Sequence, residues 1–112
     1  MKRQYRITRA NDFRRVRQNC KIYPHPLIRV LVSEGPGEQS RIGIIVSKSV
    51  GTAVKRNLVK RRIRSIANEF IQQLNKEVDI LMIANPAIVK ADYQQLRIAI
   101  TTCLRKAELL VE

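Results

Sequence analysis

The sequence predicts a layered α+β domain in which helices cover one open sheet, with an α/β order of the same elements left open. Three observations carry that expectation. Residues 27–33, LIRVLVS, alternate in polarity as a half-covered strand does, with Ile28, Val30 and Val32 on one side and Leu27, Arg29, Leu31 and Ser33 on the other. Residues 78–84, VDILMIA, form an almost unbroken apolar run of strand length, the pattern of a strand covered on both faces and placed mid-sheet. Between them, Val59, Ile63, Ile66, Ala67, Phe70 and Leu74 repeat at helical spacing along a stretch without Gly or Pro. A chain of 112 residues supplies one core of modest size, so residues 1–112 are expected to form a single domain, with 1–7 as a basic N-terminal arm.

Taken in order, Phe13, Val16 and Cys20 mark one stripe of a short helix over about 10–18, ringed by Arg14, Arg15 and Arg17. Tyr23-Pro24-His25-Pro26 is expected to be irregular, because proline donates nothing to a ladder. The strand at 27–33 leads through the turn-forming EGPGEQS to a β-branched strand, RIGIIVS, ending near Ser47, and the two are expected to pair as an antiparallel hairpin. Gly51 permits unusual dihedrals and Thr52 can cap the helix predicted over about 53–75. After the apolar strand, Asn85-Pro86 breaks the chain, and Leu96, Ala99, Ile100, Cys103, Leu104 and Ala107 predict a last amphipathic helix over about 92–108.

Charge separates the two halves. The chain holds 22 Lys and Arg against nine acids, a net +13, and residues 1–64 carry 17 of those cations with only Asp12, Glu34 and Glu38. From Glu38 to Glu69 no acid interrupts Arg41, Lys48, Lys55, Arg56, Lys60, Arg61, Arg62 and Arg64, so the run cannot neutralise itself by pairs one turn apart. At about 100° per residue, Asn57, Lys60, Arg61 and Arg64 share an arc beside the apolar stripe of the long helix. One flank packs while its neighbour is cationic. Such a surface fits an anionic polymer, in which Lys and Arg displace condensed counterions and Asn57 can bond to a phosphate, a 2′-hydroxyl or a base edge. Phe13 on the first helix and Arg29 with Leu31 on the opposite sheet face could line a groove for a single strand.

Other chemistries find less support. No run of 18 apolar residues and no signal-peptide pattern occurs, so a cytoplasmic protein is expected. Cys20 and Cys103, 83 positions apart, and the single His25 make no zinc-like spacing, and two inert thiols are expected in a reducing compartment. The acids are scattered, His25 reads as a solvated loop side chain, and Ser47 and Ser49 beside Lys48 read as phosphate contacts in place of a Ser-Lys nucleophile, so no protein active site is expected. A ribosomal or other structural RNA-binding protein shares the basic helix and remains a rival. A duplex-DNA reader lacks its heptads or helix-turn-helix here, and a membrane-surface helix lacks a spare apolar face.

SVGTAVKRNLVKRRIR, residues 49–64, resembles the signature of the bacterial ribonuclease P protein family, matching it at Gly51, Ala53, Val54, Arg56, Asn57, Lys60, Arg61 and Arg64. RIGIIVSKS before it is similar to the family's strand at Arg41, Gly43, Val46, Ser47 and Lys48, and Arg6-Ile7 with Asp12-Phe13 and Val16 is similar to its N-terminal block. The resemblance implies a four-stranded mixed sheet covered by about three helices. It also implies a left-handed βαβ crossover through the long helix, the arrangement of ribosomal protein S5 domain 2; general rules would have given the right hand. It further implies an accessory subunit of an endoribonuclease in which the RNA subunit, with its magnesium ions, hydrolyses the phosphodiester that joins the 5′ leader to precursor tRNA. Lys48, Arg56, Asn57, Lys60, Arg61 and Arg64 would face that RNA, and Phe13, Arg17, Arg29 and Leu31 would line a cleft for the leader. The partners implied are the RNA subunit and precursor tRNA, with no cofactor in the protein itself; a protein oligomer is not predicted. Three positions depart from the family pattern: Leu58 stands for the last Arg of the Arg-Asn-Arg triplet, and Arg17 and Leu31 stand for cleft aromatics, so charge is expected to substitute for stacking.

Overall fold

The computed structural model describes residues 3–35, 37 and 39–110. Helix α1 (Ala10–Gln18) precedes strands β1 (Lys21–Tyr23), β2 (Ile28–Glu34) and β3 (Arg41–Ile45); α2 (Ala53–Phe70), β4 (Val78–Ala84) and α3 (Tyr93–Lys106) follow. Short 3-10 turns lie at Arg3–Tyr5, Lys48–Val50 and Pro86–Lys90. The four strands form one mixed sheet in the order β1-β2-β4-β3, with β2 antiparallel and β3 parallel to β4.

The expected hairpin between β2 and β3 is therefore wrong. Strand β4 lies between them, because its apolar run needs a neighbour on both edges and cover on both faces, whereas β2 and β3 are each satisfied by one such partner. The parallel link from β3 through α2 to β4 is a βαβ crossover through the long helix. Strand β1 was not expected at all: Lys21–Tyr23 pairs with β2 at the sheet edge, so irregular backbone begins after Tyr23 and not at it. The arm expected at 1–7 is docked where it is described. Arg6 forms a parallel bridge with Ile42, the Ile7 amide donates to the Ile42 carbonyl at 3.0 Å, and Ile7 is buried; residues 1 and 2 lie outside the described residues.

Side-chain alternation sorts the core into two clusters on opposite sheet faces. Ile28 and Val30 of β2, Ile42 of β3, and Val78, Ile80, Met82 and Ala84 of β4 face α2 and α3, which cover them with Val59, Ile63, Ile66, Ala67 and Phe70 and with Leu96, Ile100, Cys103 and Leu104. The opposite face carries a smaller cluster, in which Leu31 and Leu81 meet Ile7 and Val16 with Phe13, Cys20, Ile45 and Ile83 at its margin. Both cysteines are free and belong to different clusters.

Helix ends follow local chemistry. Gly51 adopts φ +147°, where a side chain would be strained, and Thr52 Oγ1 accepts from the Lys55 amide at 3.3 Å to start α2. Helix α2 ends at Phe70, five residues before the expected end, since the chain must turn to enter β4; Leu74 still packs on the core, and the Asn75 amide donates to the Leu109 carbonyl. Asp92 and Gln95 form a reciprocal capping box at the start of α3. At its end the Glu108 amide donates to Arg105 and the Leu109 amide to Leu104, with Glu108 itself at φ +59°.

Candidate nucleic-acid interface

The cationic flank of α2 is open. Asn57, Lys60, Arg61 and Arg64 line one surface hollow together with Val54, as positions one turn apart on a helix must. None of these three cations forms a salt bridge among the described residues. The other two predicted contacts stand apart from the hollow. Arg56 is half-buried in the first turns of α2 and Lys48 is exposed on the 3-10 turn before it. The Nε atoms of Arg56 and Arg64 are buried without a hydrogen-bond partner. Leu58, in place of the triplet's last Arg, is 39% exposed on the side of α2 away from Lys60.

Not every cation of the acid-free run is available. Arg62, on the opposite flank, donates to the Ala91 carbonyl at 3.3 Å and ties α2 to the turn before α3. Arg41 reaches acids distant in sequence: it grips Asp79 at 3.1 Å through Nε and 2.8 Å through Nη2, and Asp12 at 3.4 Å through Nη1. Those hydrogen bonds to Asp79 hold its guanidinium above its ordinary range, against a smaller opposing effect of burial. Arg41 is thus structural, since pairing over 38 residues is invisible to a reading confined to neighbouring helical turns.

The second predicted surface is only partly brought together. Ala10, Phe13, Arg14 and Arg17 of α1, spaced at helical turns, line a hollow with Ile45 of β3. Phe13 and Arg17 were expected there, whereas Arg14 and Ile45 were missed, although the spacing 10, 13, 14, 17 was a usable signal. Leu31 does not line the hollow. It is 4% exposed beneath α1, in the small cluster with Val16 and Leu81, because an apolar side chain on that face packs against the helix above it. Arg29 is exposed on β2 and lies outside the hollow. Phe13 packs against a gap left by Gly43: a β-carbon there would stand 2.7 Å from the Phe13 ring and 2.7 Å from Leu81.

His25 does more than the solvated side chain expected. Its Nδ1 accepts from the Leu27 amide at 3.1 Å and its carbonyl accepts from Asn85 at 2.8 Å, so the ring holds the loop between β1 and β2. The Ser47 and Ser49 hydroxyls bond to each other at 2.7 Å. Among the described residues no group of three or more His, Cys, Asp or Glu gathers that could hold a metal ion, and no helix is long and apolar enough to cross a membrane.

Comparison with known proteins identifies the architecture. The family model for ribonuclease P matches residues 1–108. The ribonuclease P protein component of Herpetosiphon aurantiacus is 34% identical over 109 residues, covering 97% of this chain and 89% of that protein. The solved RNase P protein of Staphylococcus aureus superposes with a TM-score of 0.87 at 27% identity, covering 96% of this chain and 98% of that one. That of Thermotoga maritima gives a TM-score of 0.81 at 25% identity, covering 90% and 96%. Superposition of that quality over nearly the whole chain requires the same connections, so the β3–α2–β4 crossover shares the hand of those proteins.

Proposed function

This chain belongs to the ribonuclease P family, and from that premise we propose that the open flank of α2 docks on the RNA subunit while the hollow beside α1 receives the leader of precursor tRNA. The protein is a component of the ribonuclease P endoribonuclease, which acts in tRNA 5′ processing with an RNA subunit as partner. In our reading the RNA subunit carries catalysis, hydrolysing the phosphodiester so that mature tRNA keeps its 5′-phosphate, and the holoenzyme works in the cytoplasm. Magnesium supplies Lewis-acid and charge-neutralising chemistry on the RNA. This chain's own acids do not fit such an ion: Asp12 and Asp79 are taken up by Arg15 and Arg41, and the remaining acids do not converge among the described residues.

The observation that carries the docking reading is the hollow of Asn57, Lys60, Arg61 and Arg64, whose cations have no acidic partner among the described residues. Phosphates entering it release counterions and can accept from the Lys60 ammonium and the guanidiniums of Arg61 and Arg64, while Arg56 and Lys48 extend the contact beyond its rim. Beside α1, a single-stranded leader meets one aromatic ring, Phe13, and two guanidiniums, Arg14 and Arg17, so charge and cation–π contact take the place of successive base stacking.

Reconstitution with ribonuclease P RNA tests the function: the protein should lower the magnesium needed for leader removal and tighten precursor over mature tRNA. Absence of stimulation at low magnesium would favour a structural RNA-binding protein instead. Replacing Lys60, Arg61 and Arg64 with Ala should flatten the salt dependence of binding to the RNA subunit, each lost phosphate contact lowering the slope by about one. An unchanged slope would move the contact elsewhere.

A further inference from the structure

A charged residue sits in the middle of the sheet where only an apolar one is expected. Asp79 is the second residue of β4, fully buried on the face that α1 covers, and the parallel register sets Arg41 of β3 directly beside it. Arg41 binds it with two parallel hydrogen bonds, and Arg15 of α1 donates to the same carboxylate through Nη2. Asp12, one turn before Arg15, accepts from Arg41 and lies 3.9 Å from Arg15. Arg15 also donates to the Glu34 carbonyl at 3.2 Å. Gly35 leaves room for the carboxylate, since a β-carbon there would stand 3.2 Å from Asp79 Oδ1. Two acids and two guanidiniums, drawn from α1, β3 and β4, thus close a charge-balanced network.

Helix α1 needs such an anchor. It has nine residues and no side-chain N-cap, too little to hold a helix in isolation, and Val16 is its one fully buried side chain. Apolar contact through Val16 and half-buried Phe13 keeps α1 on the sheet but is non-directional, so it specifies the rotation of the helix about its axis less sharply than hydrogen bonds do. Hydrogen-bonded charges are directional and hold one rotation. Rotation matters because Phe13, Arg14 and Arg17 point into the hollow only at that setting, and each is within two residues of Arg15.

We propose that Asp79 is a positioning residue for leader binding: it fixes the rotation of α1 through Arg15 and so aims Phe13, Arg14 and Arg17 at the single strand. The inference rests on the leader-binding reading above. It assigns this carboxylate no contact with RNA and no part in docking the RNA subunit.

The sign of one substitution separates positioning from general electrostatics. Asp79→Asn removes a negative charge and raises the net charge above +13, so a uniform field would tighten leader binding, whereas loss of positioning weakens it. With holoenzyme reconstituted on ribonuclease P RNA, the affinity ratio of precursor to mature tRNA should fall about three- to tenfold in this variant, less than the full worth of one charged hydrogen bond because the carboxylate acts on the leader only through the side chains it positions. Its affinity for the RNA subunit should stay within about twofold. A core variant on the other sheet face, Ile100→Val, should lower thermal stability and leave the ratio unchanged. Should Asp79→Asn fail to fold, Arg15→Gln keeps the Arg41–Asp79 pair and should lower the ratio alike, with Arg15→Lys restoring part of it. An unchanged or increased ratio in a folded variant overturns the inference alone. A wild-type holoenzyme that does not distinguish precursor from mature tRNA overturns the leader-binding reading itself.

Discussion

The two faces of the sheet are held by different physics. Under α2 and α3, Ile28, Val30, Ile63, Ile66, Ile80, Met82 and Ile100 fill a continuous apolar interior, and the helices are joined at the margin by Arg97, which pairs with Glu69 at 3.0 Å and lies 5.3 Å from the centre of the Phe70 ring. Under α1, four buried side chains suffice, and a buried carboxylate with two guanidiniums completes the contact. The first face gains stability in proportion to area and tolerates small shifts. The second gains little area and holds one orientation, and it is the face whose helix offers Phe13, Arg14 and Arg17 to solvent. A surface that must present side chains to a ligand is better served by directional contacts than by a larger oily seam.

The largest effect should come from the first face. Ile80→Ala opens a cavity among β4, α2 and α3 and should cost about 3–4 kcal/mol in urea unfolding. A cost below about 1 kcal/mol would mean that this interior is not close-packed and would erase the contrast. Gly43→Ala probes the second face: its methyl would collide with the Phe13 ring and Leu81, so it should cost about 1–3 kcal/mol and weaken binding to the leader while sparing the RNA subunit. Equal losses for both RNAs would show that α1 and α2 respond as one body.

A pH scan sharpens the comparison further. Burial raises the Cys103 thiol above its ordinary 9.0, so above that pH the unfolded chain releases a proton that the folded chain keeps. Stability from this group is complete below pH 9.0 and is lost as pH rises through the folded value. The decline in unfolding midpoint between about pH 8 and about pH 10 should be shallower in Cys103→Ala. A thiol reagent should reach half-buried Cys20 before Cys103. The smallest effect has the opposite sign: Glu108 closes α3 at φ +59°, and Glu108→Gly should stabilise by about 0.5–1 kcal/mol in thermal unfolding. No gain would mean that the Glu108 side chain makes up for its backbone.

Much of the candidate site was legible before any coordinates. The stripe Val59, Ile63, Ile66, Ala67 and Phe70 and the flank Asn57, Lys60, Arg61 and Arg64 lie where helical spacing puts them, because residues one turn apart share a face whatever they pack against. The expected end of α2 ran on to Asn75 since Leu74 keeps the period while leaving the helix; periodicity reports burial, and a turn can bury a side chain too. Leu31 was misplaced for a related reason, as alternation separates the two faces of β2 without saying that α1 would cover the second one.

The amino-acid sequence by itself determined the three α-helices and three of the four strands, the central apolar strand among them, with the capped start of α2, the cationic flank and the family, properties carried by neighbours within a few turns of chain. Only the tertiary structure decided that β4 separates β2 from β3, that Lys21–Tyr23 adds an edge strand, and that Arg41 and Arg15 converge on Asp79. Those outcomes depend on which strand edges and buried charges find partners 38 and 64 residues away, and such pairing is settled by the competition of the whole chain to satisfy every buried polar group.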